Sequence, residues 1–133
     1  MTSIGTMPVI DNAQPAVPES CIVAARAADA KSGEETTVLA MGDLLGLTDA
    51  FVITSGANAR QVRAIVDEIE LRVKAEGGRP PIRVEGLDDA RWVLMDYGDF
   101  LVHVFLDEAR RFYDLEHLWL TAPRIDWAAP AKP

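Results

Sequence analysis

The chain has 133 residues, 49% apolar and 26% charged, with 13 Lys+Arg against 21 Asp+Glu for a net charge of −8. That length suits one domain, and the composition excludes wholesale disorder, collagen-like repeats and a coiled coil. So acidic a chain is a poor candidate for a general nucleic-acid binder, because phosphate neutralisation needs a basic surface, and it is better suited to a basic partner.

Residues 1–18 hold three prolines and neither Lys nor Arg. They lack the basic start and apolar core of a secretory signal and read as a flexible tail. Residues 122–133 are again proline-rich, without apolar periodicity, and read as a second tail. The folded domain is therefore expected over 19–121.

Within it, the Ala-rich stretch 19–31 places Val23, Ala24, Ala27 and Ala28 at helical spacing and predicts a helix ended by Ser32-Gly33. The β-branched run 36–41 predicts a strand, 42–49 a loop, and FVIT (51–54) a second strand broken by Ser55-Gly56. Residues 58–76 predict an amphipathic helix, because Val62, Ile65, Val66, Ile69 and Val73 form one apolar stripe. Asn58 is its expected N-cap and Gly77-Gly78 its stop, with Glu68–Arg72 and Glu70–Lys74 as i,i+4 ion pairs on the wet face. A short strand is expected over 82–85. Two apolar runs, 91–96 and 99–105, flank Tyr97-Gly98 and predict a β-hairpin. Residues 107–119 predict a helix or a broken pair of helices with Leu115, Leu118 and Trp119 on its apolar side. The order α-β-β-α-β-β-β-α argues for an α/β layer structure with a mixed sheet.

A turn centred on Tyr97-Gly98 sets Asp96 opposite Asp99, Leu94 opposite Leu101, and Trp92 opposite His103. Side chains alternate along a strand, so one hairpin face carries Val93, Met95, Phe100, Val102 and Val104, with Arg91 at its edge. That face is apolar and is expected in the core. The other face carries Trp92, Leu94, Asp96, Asp99, Leu101 and His103, large apolar groups rimmed by charge. Two readings stand for it. It is a protein-binding patch with an aromatic anchor, or a helix covers it, with Trp92 packed and His103 satisfied in the core.

Ser55-Gly56, ahead of the long helix, offers backbone N–H groups to an anion, although no GK[ST] follows as in a Walker loop. The carboxylate pairs Asp96/Asp99 and Asp88-Asp89 are expected in solvent and not converging on a metal. One cysteine and two histidines fall short of a Cys/His zinc set, and Cys21 has no neighbour that would lower its thiol pKa. His103 and His117 lack an evident nucleophile partner. No catalytic set assembles, and no cofactor or metal is expected. No apolar run approaches the ~20 residues of a membrane-spanning helix.

Five segments in order, LTDAFVITSG (47–56), RQVRAIVDEIE (60–70), RPPIRVEG (79–86), RWVLMDYGDFLVHVF (91–105) and EARRFYDLEHLW (108–119), resemble the ribosomal silencing factor, or Iojap-like, family. AARAADAK (24–31) is similar to that family's first helix. The chain departs from the family pattern at Ala50 and across TTVLAMGD (36–43). The resemblance implies an α/β fold with helices packed on a mixed β-sheet, in a nucleotidyltransferase-like architecture. It implies binding to ribosomal protein uL14 on the large ribosomal subunit, a block on small-subunit joining, and lowered translation under nutrient limitation. It further implies a cytoplasmic protein that is a homodimer when free, with no membrane partner and no sequence-specific nucleic-acid binding. The implied contact surface on this chain is Glu85, Arg91, Trp92, Leu94, Asp96, Tyr97, Asp99 and His103. The alternative is a nucleotidyltransferase-like enzyme or nucleotide-binding module using Ser55-Gly56. It lacks the D-x-D or E-x-D pair that would clamp phosphoryl charge.

Overall fold

The computed structural model describes residues 15–128. The chain runs α1 (Glu19–Ala30), β1 (Glu34–Ala40), α2 (Gly42–Leu45), β2 (Ala50–Gly56), α3 (Ala59–Ala75), β3 (Arg83–Glu85), β4 (Trp92–Asp96), β5 (Phe100–Leu106), α4 (Asp107–Tyr113), α5 (Leu115–Leu118) and β6 (Arg124–Ile125). The strands form one sheet in the order β3-β4-β5-β2-β1-β6. Strands β2 and β5 pair in parallel, and the remaining neighbours pair antiparallel. This is the expected α/β fold, a mixed sheet with helices packed on it.

Helices α1 and α3 cover one face of the sheet. The alanines of α1 (Ala24, Ala25, Ala27 and Ala28) are fully buried and let the helix lie close against its neighbours. The stripe read from spacing in α3, Val62, Ile65, Val66, Ile69 and Val73, is buried throughout. At about 1.5–3 kcal/mol for each fully buried aliphatic side chain, that stripe anchors the helix more firmly than intrinsic propensity does. Asn58 caps α3 by accepting from the Gln61 N–H at 2.9 Å, and Glu68–Arg72 closes at 2.7 Å. Glu70 and Lys74 do not come within ion-pair distance.

Strand β2 is buried over its whole length between β1 and β5. Its alternation divides the core. Ala50 and Val52 join the core under α1 and α3, whereas Phe51 and Ile53 face the other side with Leu39, Met41, Phe105, Ala109 and Ala122. Helices α4 and α5 cover only part of that second face.

Two sequence expectations are corrected. The hairpin register differs: Trp92 pairs with Phe105, Leu94 with His103 and Asp96 with Leu101. The turn is centred on Gly98-Asp99 and closed by Tyr97 N–H donating to the Phe100 carbonyl at 3.0 Å. Gly98 takes φ +89° at the first central position, a conformation that Tyr97 would resist there. Moving the turn by one residue shifts each cross-strand pair by two, so the division of side chains between faces survives.

The second correction concerns the boundary at residue 121. Val38 pairs with Ile125 and Leu39 with Arg124, so β6 completes the sheet beyond it. Ala122 and Ile125 are buried, and the Trp127 indole N–H donates to the Thr36 carbonyl at 2.8 Å. Proline content misled here, because Pro123 leaves its carbonyl free to accept from the Ala40 N–H at 2.9 Å. On the N-terminal side, Val17 already packs on the core, and the rest of the expected first tail, 1–14, lies outside the described residues.

Smaller departures follow from local contacts. Residues 42–45 form one helical turn within the expected loop. The terminal helix is broken at Asp114, which takes φ +48° between α4 and α5. Leu115 and Trp119 pack inward as expected, but Leu118 is exposed.

Candidate functional site

The half-covered face of the sheet gathers aromatic side chains. Trp92 on β4 lies 4.9 Å from the Phe105 ring of β5 and 4.7 Å from the Tyr113 ring at the end of α4. Phe51 on β2 meets His103 edge-on at 4.7 Å and Trp119 at 6.2 Å. These contacts follow from alternation on β2, β4 and β5 together with the helical return of α4 across the strand ends. Trp92 is half-buried, and Tyr113 keeps 46% of its surface exposed.

Strand β4 leads the chain from this aromatic end to a charged one. Glu85 on β3 pairs with Leu94, and Arg83 pairs with Asp96, which places them on the same side of the sheet. Arg83 lies 3.3 Å from the Glu85 carboxylate and 3.5 Å from that of Asp96. The other Asp96 oxygen accepts the Gly98 N–H at 2.8 Å. Gly86 fixes how β3 leads toward β4: its φ is +93°, and a Cβ there would strike the Trp92 carbonyl.

Of the residues expected on this surface, the structure therefore brings together Glu85, Trp92, Leu94, Asp96 and His103. Three fall elsewhere. Tyr97 lies on the helix-covered side, stacked on Phe100 at 4.6 Å, and its phenol is pushed well up by burial and by Glu70. Asp99 sits in the turn, and Arg91 precedes β4 and faces Glu108 at 3.9 Å. His103 lies beneath the surface, 5% exposed. Its Nδ1 accepts the Trp92 indole N–H at 3.1 Å, its Nε2 has no hydrogen-bond partner, and burial lowers its pKa to about 4.

Sequence reasoning missed Tyr113 and the group that anchors its helix. Arg110, on α4, is 6% exposed and reaches back to the sheet. Nη1 donates to the Glu34 carbonyl at 2.8 Å and to the Ser55 hydroxyl at 3.1 Å. Nη2 donates to the Glu35 carbonyl at 2.7 Å and, with Nε, grips the Glu116 carboxylate at 2.9 and 3.1 Å. This buried fork ties α4 and α5 to the bulge in β1, where Glu35 takes φ +48°. No local signal marks it, since Glu34 and Arg110 are 76 residues apart.

The Ser55-Gly56 turn is partly occupied by groups of the chain itself. The Ser55 hydroxyl lies between the Glu34 carbonyl and Arg110. At the start of α3, the Ala57 N–H donates to the Gln61 side chain at 2.7 Å, and the Gln61 N–H donates to Asn58. Two of the N–H groups at this helix start are thus engaged by side chains of the chain itself. Cys21 is buried, and its thiol is pushed up to about 12 by burial, with Asp99 and Glu19 adding to the effect. Among the described residues, no cluster of three or more His, Cys, Asp or Glu side chains converges on a common point.

Residues 14–133 match the family model described as "Ribosomal silencing factor during starvation". The chain is 42% identical over 104 residues to Ribosomal silencing factor RsfS of Bacillus subtilis, covering 78% of this chain and 87% of that one. It is 31% identical over 105 residues to the chloroplastic protein Iojap of Zea mays, covering 77% of this chain and 44% of that one. A crystal structure of a Chromobacterium violaceum protein superposes with a TM-score of 0.74 at 29% identity, covering 87% of this chain and 95% of that one.

Proposed function

As the chain belongs to the ribosomal silencing factor family and so to the regulators of translation, we propose that it represses translation by docking the Trp92–Tyr113 face on protein uL14 of the large ribosomal subunit, thereby blocking the small subunit. The observation that carries this is the half-exposed aromatic pair at one end of a sheet face whose other end is acidic. An indole and a phenol there offer rings to stack on arginine, and Asp96 and Glu85, which share Arg83 within the chain, offer carboxylates that a partner's arginine would compete for. Residues 82–121 hold nine Asp+Glu against four Arg, which suits a basic ribosomal protein.

The reading is non-catalytic. Its support is the Ser55 hydroxyl, which is held between the Glu34 carbonyl and the Arg110 guanidinium. In this reading the protein works on ribosomal subunits in the cytoplasm; no described helix is long and apolar enough to cross a membrane. The same reading includes a homodimer of the free protein.

Co-sedimentation tests the proposal. The protein is expected to pellet with purified large subunits and to stay in the supernatant with assembled ribosomes. Equal pelleting with both overturns the anti-association mechanism.

A further inference from the structure

The indole N–H of Trp92 is a donor with no acceptor role, so its direction is set by whatever accepts it. On this face the acceptor is Nδ1 of His103, at 3.1 Å. The pairing is diagonal across the hairpin, because Trp92 stands opposite Phe105 and His103 opposite Leu94. His103 is itself held: Phe51 meets its ring edge-on at 4.7 Å, and Phe105 stacks nearly parallel at 6.2 Å, 12° between planes. Its surroundings are apolar, and Nε2 finds no hydrogen-bond partner there. A buried polar atom left unpartnered carries a cost, which a plain packing residue such as leucine or phenylalanine would avoid at this position. The ring's one hydrogen bond is spent on Trp92.

We propose that His103 is a positioning residue for the docking surface: from beneath the sheet face, its Nδ1 fixes the Trp92 indole in a single orientation against Tyr113, so that the aromatic pair is organised before the partner arrives. This rests on the docking reading above. The arrangement requires the tautomer with the proton on Nε2, and burial keeps the ring neutral at physiological pH, leaving Nδ1 free to accept. A side chain ordered in advance loses less freedom on binding, so the effect falls on affinity.

The test is a double-mutant cycle on large-subunit binding with the full chain, using His103→Phe, which keeps a ring without an acceptor, and Trp92→Phe, which keeps a ring without the donor. Alone, His103→Phe is expected to weaken binding about fivefold; in the Trp92→Phe background it should add less than about twofold. His103→Asn, whose carbonyl oxygen takes the place of Nδ1, should recover most of the loss. In solution, the indole N–H resonance of Trp92, identified by its disappearance in Trp92→Phe, should move in His103→Phe and return toward its parent position in His103→Asn. Equal losses from His103→Phe in both backgrounds overturn the proposal, as does an unmoved indole resonance. Trp92→Ala separates the two ideas. If it binds as the parent does, the docking reading itself fails; if it binds weakly while the cycle shows no coupling, only the role of His103 fails.

Discussion

Trp92 joins two demands in one side chain. Read as an open surface residue, it could be truncated without loss of stability; its contacts with Phe105, His103 and Tyr113 say otherwise. Fully buried tryptophans cost about 3–5 kcal/mol on truncation, and half-burial places Trp92→Ala near 2 kcal/mol, a fall in Tm of about 8 °C. Binding to large subunits should fall about thirtyfold or more. Tyr113→Ala separates the two effects, since its ring is 46% exposed. It should hold Tm within about 3 °C and still weaken binding about tenfold. Parent-strength binding by Tyr113→Ala would remove it from the contact surface. His103 adds a pH dependence. Its folded pKa of about 4 lies below the ordinary 6.5, so its neutral form stabilises the fold fully above pH 6.5, and that contribution is lost as pH falls toward 4. The limit is about 3 kcal/mol. Urea midpoints measured at pH 7 and pH 4.5 should fall further for the parent than for His103→Asn; identical falls would show that His103 does not titrate in this way.

Strand β6 shows how a short element can matter more than its length. It contributes two residues to the sheet, yet it buries Ile125, covers the β1 edge and brings Trp127 to the Thr36 carbonyl. A chain ending at Thr121 loses these contacts and leaves β1 as an open edge that can pair with other chains. Such a truncation should lower Tm by about 10 °C, from roughly 2–3 kcal/mol of lost burial, and should raise the apparent mass in light scattering. An unchanged Tm would mean that β6 adds nothing to stability. The α4–α5 turn is a second case. Its helices are too short to persist alone, and the Arg110 fork holds them against β1 and β2.

For the molecule as a whole, the net charge of −8 sets a field that a basic ribosomal surface would feel beyond contact distance. Association with large subunits should therefore slow as salt rises. The dissociation rate should change less, because the aromatic pair carries no charge for salt to screen. Stopped-flow association between about 50 and 300 mM KCl checks this, the Debye length falling from roughly 14 to 6 Å over that range. A flat association rate would show that charge plays no part in the encounter.

Local patterns in the sequence were enough for whatever depends on spacing along one segment. The stripe of α3 and its Asn58 cap were legible because a helix repeats its own period. The split of β4 and β5 into two faces was legible because alternation has period two and survived a displaced turn. The family, too, was legible, in ordered segments such as RWVLMDYGDFLVHVF and EARRFYDLEHLW. The meeting of distant segments was decided by the tertiary structure. Tyr113 meets Trp92 from a helix that Arg110 ties to carbonyls 75 and 76 residues away. His103 sinks beneath the face because Phe51 lies against it from a strand paired in parallel with its own. Ile125 closes the sheet because β1 had an unpaired edge. Contacts of this kind depend on where the backbone carries each residue in space, and no period in the sequence records that.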